Sequence, residues 1–209
     1  MSMRIALFGA TGGIGRRVLA RLLLAGHTVT ALSRRPGAVV AGPATRPITG
    51  DVTDPEAVAA TVTGQDLVVS ALGVATTRPD TTVSVGTRTI VAAMAEHRVP
   101  RLIAISGNGL GVNGGPVVDR ILTPTLLRHV KVEAQAQEAA ITDSPLHWTI
   151  IRPFRLVDRW PPSVAYRVAE SFSPTVVVRW TTRDDAARAI IEHLDDGPRS
   201  VLWVASGGR

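Results

Sequence analysis

Apolar positions along this chain alternate between two periods. Ile5-Ala6-Leu7-Phe8 is a short unbroken apolar run of the kind a strand buried on both faces produces. From Ile14 the apolar residues recur at helical spacing, with Val18 and Leu22 on the same face, until Gly26 stops the pattern and His27 to Leu32 begins a second strand-like run. Carried to the end, this reading predicts strands near 3–8, 28–32, 45–48, 67–71, 101–106 and 148–151. It predicts helices over 14–25, 55–61, 85–97, 117–142 and 184–194. Asp54 ahead of Pro55 is a favourable helix start, and Asp184 is a second candidate cap. Strands that alternate with helices imply an α/β fold, a doubly wound parallel sheet in a single domain over 1–209. Three long irregular stretches, 75–84, 107–116 and 154–174, follow strands on the side where such folds bind ligands.

The first strand runs directly into Gly9-Ala10-Thr11-Gly12-Gly13-Ile14-Gly15, glycines spaced three apart that lead into a helix. In a dinucleotide-binding turn the three glycines act differently. Gly9 lets the chain leave the strand sharply, Gly12 lets backbone N–H groups approach a pyrophosphate, and Gly15 lets the helix pack closely. Thr11, Gly13 and Ile14 belong to the same cradle, and the helix N-terminus adds positive partial charge. The chain holds 19 glycines, so the strand before and the helix after carry the reading, not the spacing alone. The second strand ends in Ser33-Arg34-Arg35-Pro36, where an NAD site would present an acid to the ribose. Two guanidinium groups suit a 2′-phosphate instead, which favours NADP(H); the alternative is a pair of solvated turn charges.

Composition narrows the field. With 209 residues, 45% hydrophobic and 19% charged, one ordinary domain with a real core is expected. The apolar run before the glycines is too short for a signal peptide or a membrane span, so a cytoplasmic protein is expected. There is no cysteine, which removes disulfides, thiolate nucleophiles and zinc–thiolate sites, and the 5 histidines lack metal-ligand spacing. No metal is expected. The net charge of +6 comes from arginines scattered along the chain, and aromatic residues are only 4%, so a nucleic-acid partner is not expected either. The anionic partner is more simply the cofactor, with a small molecule as substrate. The oligomeric state stays open.

Taken in order, the glycine turn, Ser33-Arg34-Arg35-Pro36, Gly50-Asp51-Val52-Thr53-Asp54, Ser70-Ala71-Leu72-Gly73, Thr149-Ile150-Ile151-Arg152-Pro153 and Thr182-Arg183-Asp184-Asp185-Ala186-Ala187 resemble an atypical short-chain dehydrogenase/reductase. The similarity is to the compact NAD(P)H-binding group that includes NmrA-like proteins and flavin and biliverdin reductase B-like enzymes, and it covers nearly the whole chain. The resemblance implies a Rossmann fold in which Asp51 and Val52 cap the adenine. It implies that Ala71, Leu72 and Gly73 line the ribose and pyrophosphate, and that the Pro153–Phe154 backbone lies beside the nicotinamide.

The chain departs from these relatives in the proton-transfer residues. Short-chain dehydrogenases use a Ser with a Tyr-x-x-x-Lys pair. Here Ser106 keeps the serine position, but the chain's one tyrosine, Tyr166, lies beyond Arg152-Pro153 at the wrong spacing. Setting Lys131 as the family's lysine places Leu127 at the tyrosine; setting the register by distance to Arg152-Pro153 places Val130 and Ala134 on the pair. Neither restores it. Lys131 is the chain's one lysine, so it is a candidate proton donor or ribose ligand, with a plain surface lysine as the alternative. His129 reads as a solvated or core histidine. After Pro153 the pattern leaves one helix and one or two short strands, and Phe154, Trp160, Tyr166 and Phe172 concentrate aromatic surface there, for an acceptor or for loop packing. The resulting expectation is an NADPH-dependent oxidoreductase for a small apolar or aromatic acceptor such as a flavin, quinone or carbonyl compound, with Ser106 and Lys131 as catalytic candidates. The alternatives are an NmrA-like redox sensor without turnover, and an isomerase, dehydratase or cyclase.

Overall fold

The computed structural model describes residues 2–73, 80–107, 128–158, 166–171, 180–195, 197 and 199–206. The first strand, β1 (Arg4–Phe8), takes the centre of the sheet because all but its first residue is buried on both sides. Around it stand β2 (Thr28–Ser33), β3 (Thr45–Thr49), β4 (Leu67–Ser70), β5 (Arg101–Ile105), β6 (His147–Pro153) and β10 (Ser200–Ser206). The order β3-β2-β1-β4-β5-β6-β10 is parallel throughout, with Phe8 opposite both Leu32 and Ser70 in the register. The chain reverses direction across β1, from β2 and β3 on one side to β4 on the other. The crevice at such a reversal is where ligands enter open α/β sheets.

Unbroken apolar strands are explained by the two layers they separate. Ile5 and Leu7 of β1 pack with α1 (Gly15–Leu24) and the last helix, α5 (Arg183–Glu192), whereas Ala6 and Phe8 pack with α2 (Pro55–Val62) and α3 (Thr82–Glu96). The same alternation divides Leu67 and Val69 from Val68, and Ile103 and Ile105 from Leu102 and Ala104. The helix α4 (Arg128–Thr142) joins the second layer through Ile141. A side-chain period of two thus gives the central strands β1, β4 and β5 two cores, and no polar face is left to interrupt their runs.

The sheet differs from the sequence expectation at its later end. Beyond Pro153 come β7 (Arg155–Val157), β8 (Tyr166–Ala169) and β9 (Trp180–Thr182) as well as β10, more strand than the pattern predicts. β8 and β9 run antiparallel to β10, and β7 pairs parallel with β9. Strands of three or four residues are too short to show an alternation, which is why the sequence reads as loop there.

Helix starts follow their caps. The Asp54 carboxylate accepts from Glu56 N–H with Pro55 in the first turn, as predicted. The last helix is capped by Thr182, whose hydroxyl accepts from Asp185 N–H, so Asp184 is not the cap; it pairs instead with Arg21 of α1 at 2.8 Å. α3 begins at Thr82, three residues before the predicted start, because its first turn is held from outside. The Asp80 carboxylate accepts from Thr82 N–H at 2.9 Å, and the buried Glu133 of α4 accepts from Ser84 N–H at 2.6 Å and from the Ser84 hydroxyl at 3.0 Å. Residues 117–127 of the predicted fourth helix, Leu127 among them, lie outside the described residues, as do 75–79, 108–116, 159–165 and 172–174 of the irregular stretches.

Candidate functional site

The glycine turn closes on itself before it meets any ligand. Gly9 takes a positive φ of 79°, a conformation side chains disfavour, and Gly12 N–H donates to its carbonyl at 3.0 Å. α1 starts at Gly15 with no side-chain cap and no acidic residue in its first turn. The Arg16 and Arg17 N–H groups close on the Gly12 and Ile14 carbonyls at 3.1 and 2.9 Å, so the donors this helix start offers an anion are those ahead of them in the turn, the place where helix N-termini favour phosphate.

Two hollows meet over this turn, and both are lined by Gly12, Ala71, Leu72 and Gly73. The first, of about 220 Å³, lies toward β2 and β3 and adds Gly9, Thr11, Ser33, Arg34, Asp51 and Val52. Asp51 and Asp80 at its edge are both held below the usual carboxylate range, Asp51 by hydrogen bonds from the Thr53 backbone and hydroxyl and Asp80 by those from the Thr82 hydroxyl and backbone. Arg34, exposed, stands 4.0 Å from the Asp51 carboxylate. Beside them an open recess is lined by Thr11, Ser33, Arg34 and Arg35, with no carboxylate among its described lining residues.

The second hollow, of about 310 Å³, lies toward β5 and β6. Ile14, Ile105, Val130, Phe154 and Leu156 give it apolar walls, with Pro153 beside Phe154 and Gly13 at the turn. Ser106, wholly buried just after β5, is at its floor, and its N–H donates to Ile151 carbonyl at 2.9 Å. Phe154 is 1% exposed and packs on Trp203 of β10 at 5.3 Å between ring centroids. Arg152 lies over that same Trp203 ring at 5.2 Å and holds the Glu138 carboxylate through two bonds of 2.8 and 2.6 Å. The wall of the hollow is thereby tied to α4 and β10.

Several sequence candidates fall elsewhere. Lys131 is not brought to the hollow: it is exposed on α4, while Val130 beside it lines the cavity. Neighbours on a helix point about 100° apart, so only one of the two can face inward. Ala134, one turn beyond Val130, is buried as well. His129 is exposed. Tyr166 does not join the cavity lining either; on β8 its hydroxyl donates to Glu192 while the Arg188 guanidinium lies 4.7 Å over its ring. Burial first, then that hydrogen bond to Glu192, pushes its phenol up beyond the ordinary tyrosine range. Trp160 and Phe172 lie outside the described residues. Of the residues lining this hollow, the sequence reading does not single out Ile105, Gly107, Leu156 or Arg183 as site residues, and it names Val130 only as one register of the missing pair. The signal for Arg183 was its place in Thr182-Arg183-Asp184-Asp185, read there only as a helix opening. Among the described residues no group of three metal-ligating side chains gathers, and no helix is long and apolar enough to cross a membrane.

Comparison with known proteins gives the arrangement a family. An uncharacterised protein of Mycobacterium tuberculosis strain H37Rv is 29% identical over 208 residues, covering 94% of this chain; the chain spans only 21% of that relative's length. Among solved structures, the anaerobillin reductase ChuY of Escherichia coli O157:H7 superposes with a TM-score of 0.79 at 22% identity, covering 99% of this chain and 98% of that one. A wide-type short-chain dehydrogenase/reductase of Veillonella parvula, solved in complex with NADP, gives a TM-score of 0.80 at 20% identity over 100% of this chain and 96% of its own. These likenesses establish a Rossmann-like α/β fold. The family model described as NAD(P)H-binding matches residues 9–197, from the first glycine of the turn to beyond the last helix, and this chain belongs to that NAD(P)H-binding family.

Proposed function

We infer that this protein is an NADPH-dependent oxidoreductase that delivers hydride to a small apolar or aromatic acceptor. The observation that carries the reading is the pair of hollows sharing one glycine turn, a polar one with Arg34 at its edge and an apolar one floored by Ser106. The residues fit a dinucleotide: α1 leaves its first turn uncapped, and a Cβ on Gly12 would enter the space a pyrophosphate needs. Arg34 and Arg35, with Thr11 and Ser33, suit a 2′-phosphate, while Asp51 and Val52 face the adenine end. Ala71, Leu72 and Gly73 pass between the two hollows, and Pro153 and Phe154 offer a flat wall at the nicotinamide end. The solved relative holding NADP and the reductase among the structural neighbours support this reading.

When bound, the nicotinamide supplies the hydride; the chain's part is to orient the two reactants and exclude water. In this reading Ser106, which lines the hollow, donates a hydrogen bond to negative charge developing on the acceptor oxygen or nitrogen. Val130 lines that cavity and α4 offers it no hydroxyl at this position, which favours acceptors that take their proton from solvent, such as flavins and quinones. The same Val130 favours, as a second reading, a sensor that holds NADP(H) without turnover or a non-redox enzyme on the same fold.

Calorimetry with NADPH and NADH, followed by NADPH oxidation against a panel of flavins, quinones and ketones, separates these readings. Tighter NADPH binding with oxidation by at least one flavin or quinone is the expected result. Tight binding with no oxidation by any acceptor would move the assignment to the sensor or the non-redox enzyme.

A further inference from the structure

Gly13 has no room for a side chain because another residue already occupies that space. A Cβ built there would stand 2.6 Å from Arg183 Cδ and 2.8 Å from its Nε, so the stem of Arg183 lies directly on the glycine turn. The packing of α5 against α1 brings it there, and strand register gives it its partner. β7 and β9 pair parallel with Val157 opposite Thr182, and the next residues, Asp158 and Arg183, leave the two strands side by side with Nη1 2.8 Å from Oδ1. Arg183 then opens α5, where the positive end of the helix disfavours a cation. The two carboxylates of that first turn are engaged elsewhere, Asp184 by Arg21 and Asp185 by Thr182. Asp158 is 64% exposed, so its pairing with Arg183 is a weak one that a better anion can displace. Among the described residues lining the second hollow, Arg183 is the one charged side chain.

We propose that Arg183 is a second anchor for the cofactor, supplied from the far end of the chain: its guanidinium leaves Asp158 and donates to the nicotinamide-side phosphate of NADPH. This rests on the reading that the turn holds NADP(H). The stem lying on Gly13 selects that phosphate, because Gly13 stands between Gly12 and Ile14, the residues whose backbone approaches the pyrophosphate. Asp158 acts as a placeholder that keeps the cation at the cavity mouth until the phosphate arrives.

The test is calorimetric titration of the full chain and of its Arg183→Gln, Arg183→Lys and Asp158→Asn variants, with thermal melts recorded for each. The probes are NADPH, reduced nicotinamide mononucleotide, which carries the phosphate in question, and adenosine 2′,5′-bisphosphate, which lacks it. Arg183→Gln is expected to weaken NADPH and the nicotinamide mononucleotide about ten- to a hundredfold, the loss of a charge-assisted bond, and to leave the adenosine bisphosphate unchanged. Arg183→Lys should recover part of the loss, and Asp158→Asn should tighten NADPH about two- to fivefold by removing the competing carboxylate. NADPH affinity unchanged in Arg183→Gln overturns the proposal, and an accompanying rise in acceptor KM would assign the cation to an anionic acceptor instead. Equal weakening of all three probes with a lowered melting temperature overturns it in favour of a structural role. If the unmodified protein fails to bind NADPH, the cofactor reading itself falls, an outcome distinct from either of these.

Discussion

A Cβ on Gly15 would stand 2.0 Å from the carbonyl oxygen of Gly9, and one on Gly9 would stand 2.6 Å from that of Ala71; a Cβ on Gly12 meets only Gly9 oxygen, at 3.3 Å. The fold therefore requires Gly9 and Gly15, and Gly12 is the glycine that the proposed function gives to the pyrophosphate. Alanine normally gains about 1 kcal/mol over glycine inside a helix, so Gly15→Ala isolates the packing cost and should destabilise by about 3 kcal/mol or more in chemical denaturation. Gly12→Val should instead leave a folded protein that no longer binds NADPH in a fluorescence titration. Normal binding by that variant would mean that the pyrophosphate does not approach there. At the other end of the cofactor, Arg34→Ala with Arg35→Ala should reduce NADPH affinity about tenfold and leave NADH nearly unchanged. The figure is kept to the lower part of the range for charged hydrogen bonds because the Arg34 side chain is 75% exposed. Ser106→Ala should slow single-turnover hydride transfer about 10- to 100-fold with any acceptor that develops charge at its reacting atom.

Helices carry the site by the face they turn inward. α4 presents Val130 to the cavity and leaves Lys131 in solvent, so Lys131→Ala is expected to keep NADPH affinity within about twofold of the unmodified protein. A clear loss of affinity would return the lysine to the ribose. The same helix presents Glu133 to α3, where the carboxylate closes the first turn through Ser84 N–H at 2.6 Å. Glu133→Ala should cost about 1–2 kcal/mol, as loss of a helix cap does, and hydrogen exchange should show the gain in mobility confined to the start of α3. No sequence rule placed that cap, because it comes from a residue far along the chain and not from the turn preceding the helix. Asp54 with Pro55 was legible because both lie next to the helix they start. Thr182 was overlooked in favour of Asp184, one of several residues there able to cap; the hydroxyl at the extended position before the turn has the required geometry.

The whole molecule joins the cavity to its frame through one partly buried cluster. Glu138 of α4 grips Arg152 of β6, Arg152 lies over Trp203 of β10, and Trp203 packs on Phe154 in the cavity wall. Glu138→Ala should destabilise by about 2–3 kcal/mol, toward the low side for a broken buried pair because the Arg152 side chain is 23% exposed. Part of this frame was readable from the chain alone. The early strands and helices, their parallel order and the glycine turn follow from side-chain periods and from the steric needs of single residues, which act over a few positions. The placement of β7 and β9 does not, since strands of three residues are set by the neighbours they pair with. Nor does the choice between Val130, which lines the cavity, and Lys131, which is exposed, because it depends on which face α4 packs inward. Arg183 is the clearest case: the packing of α5 against α1 brings a residue near the end of the chain onto Gly13 of the first turn, a contact between distant positions that no local pattern encodes.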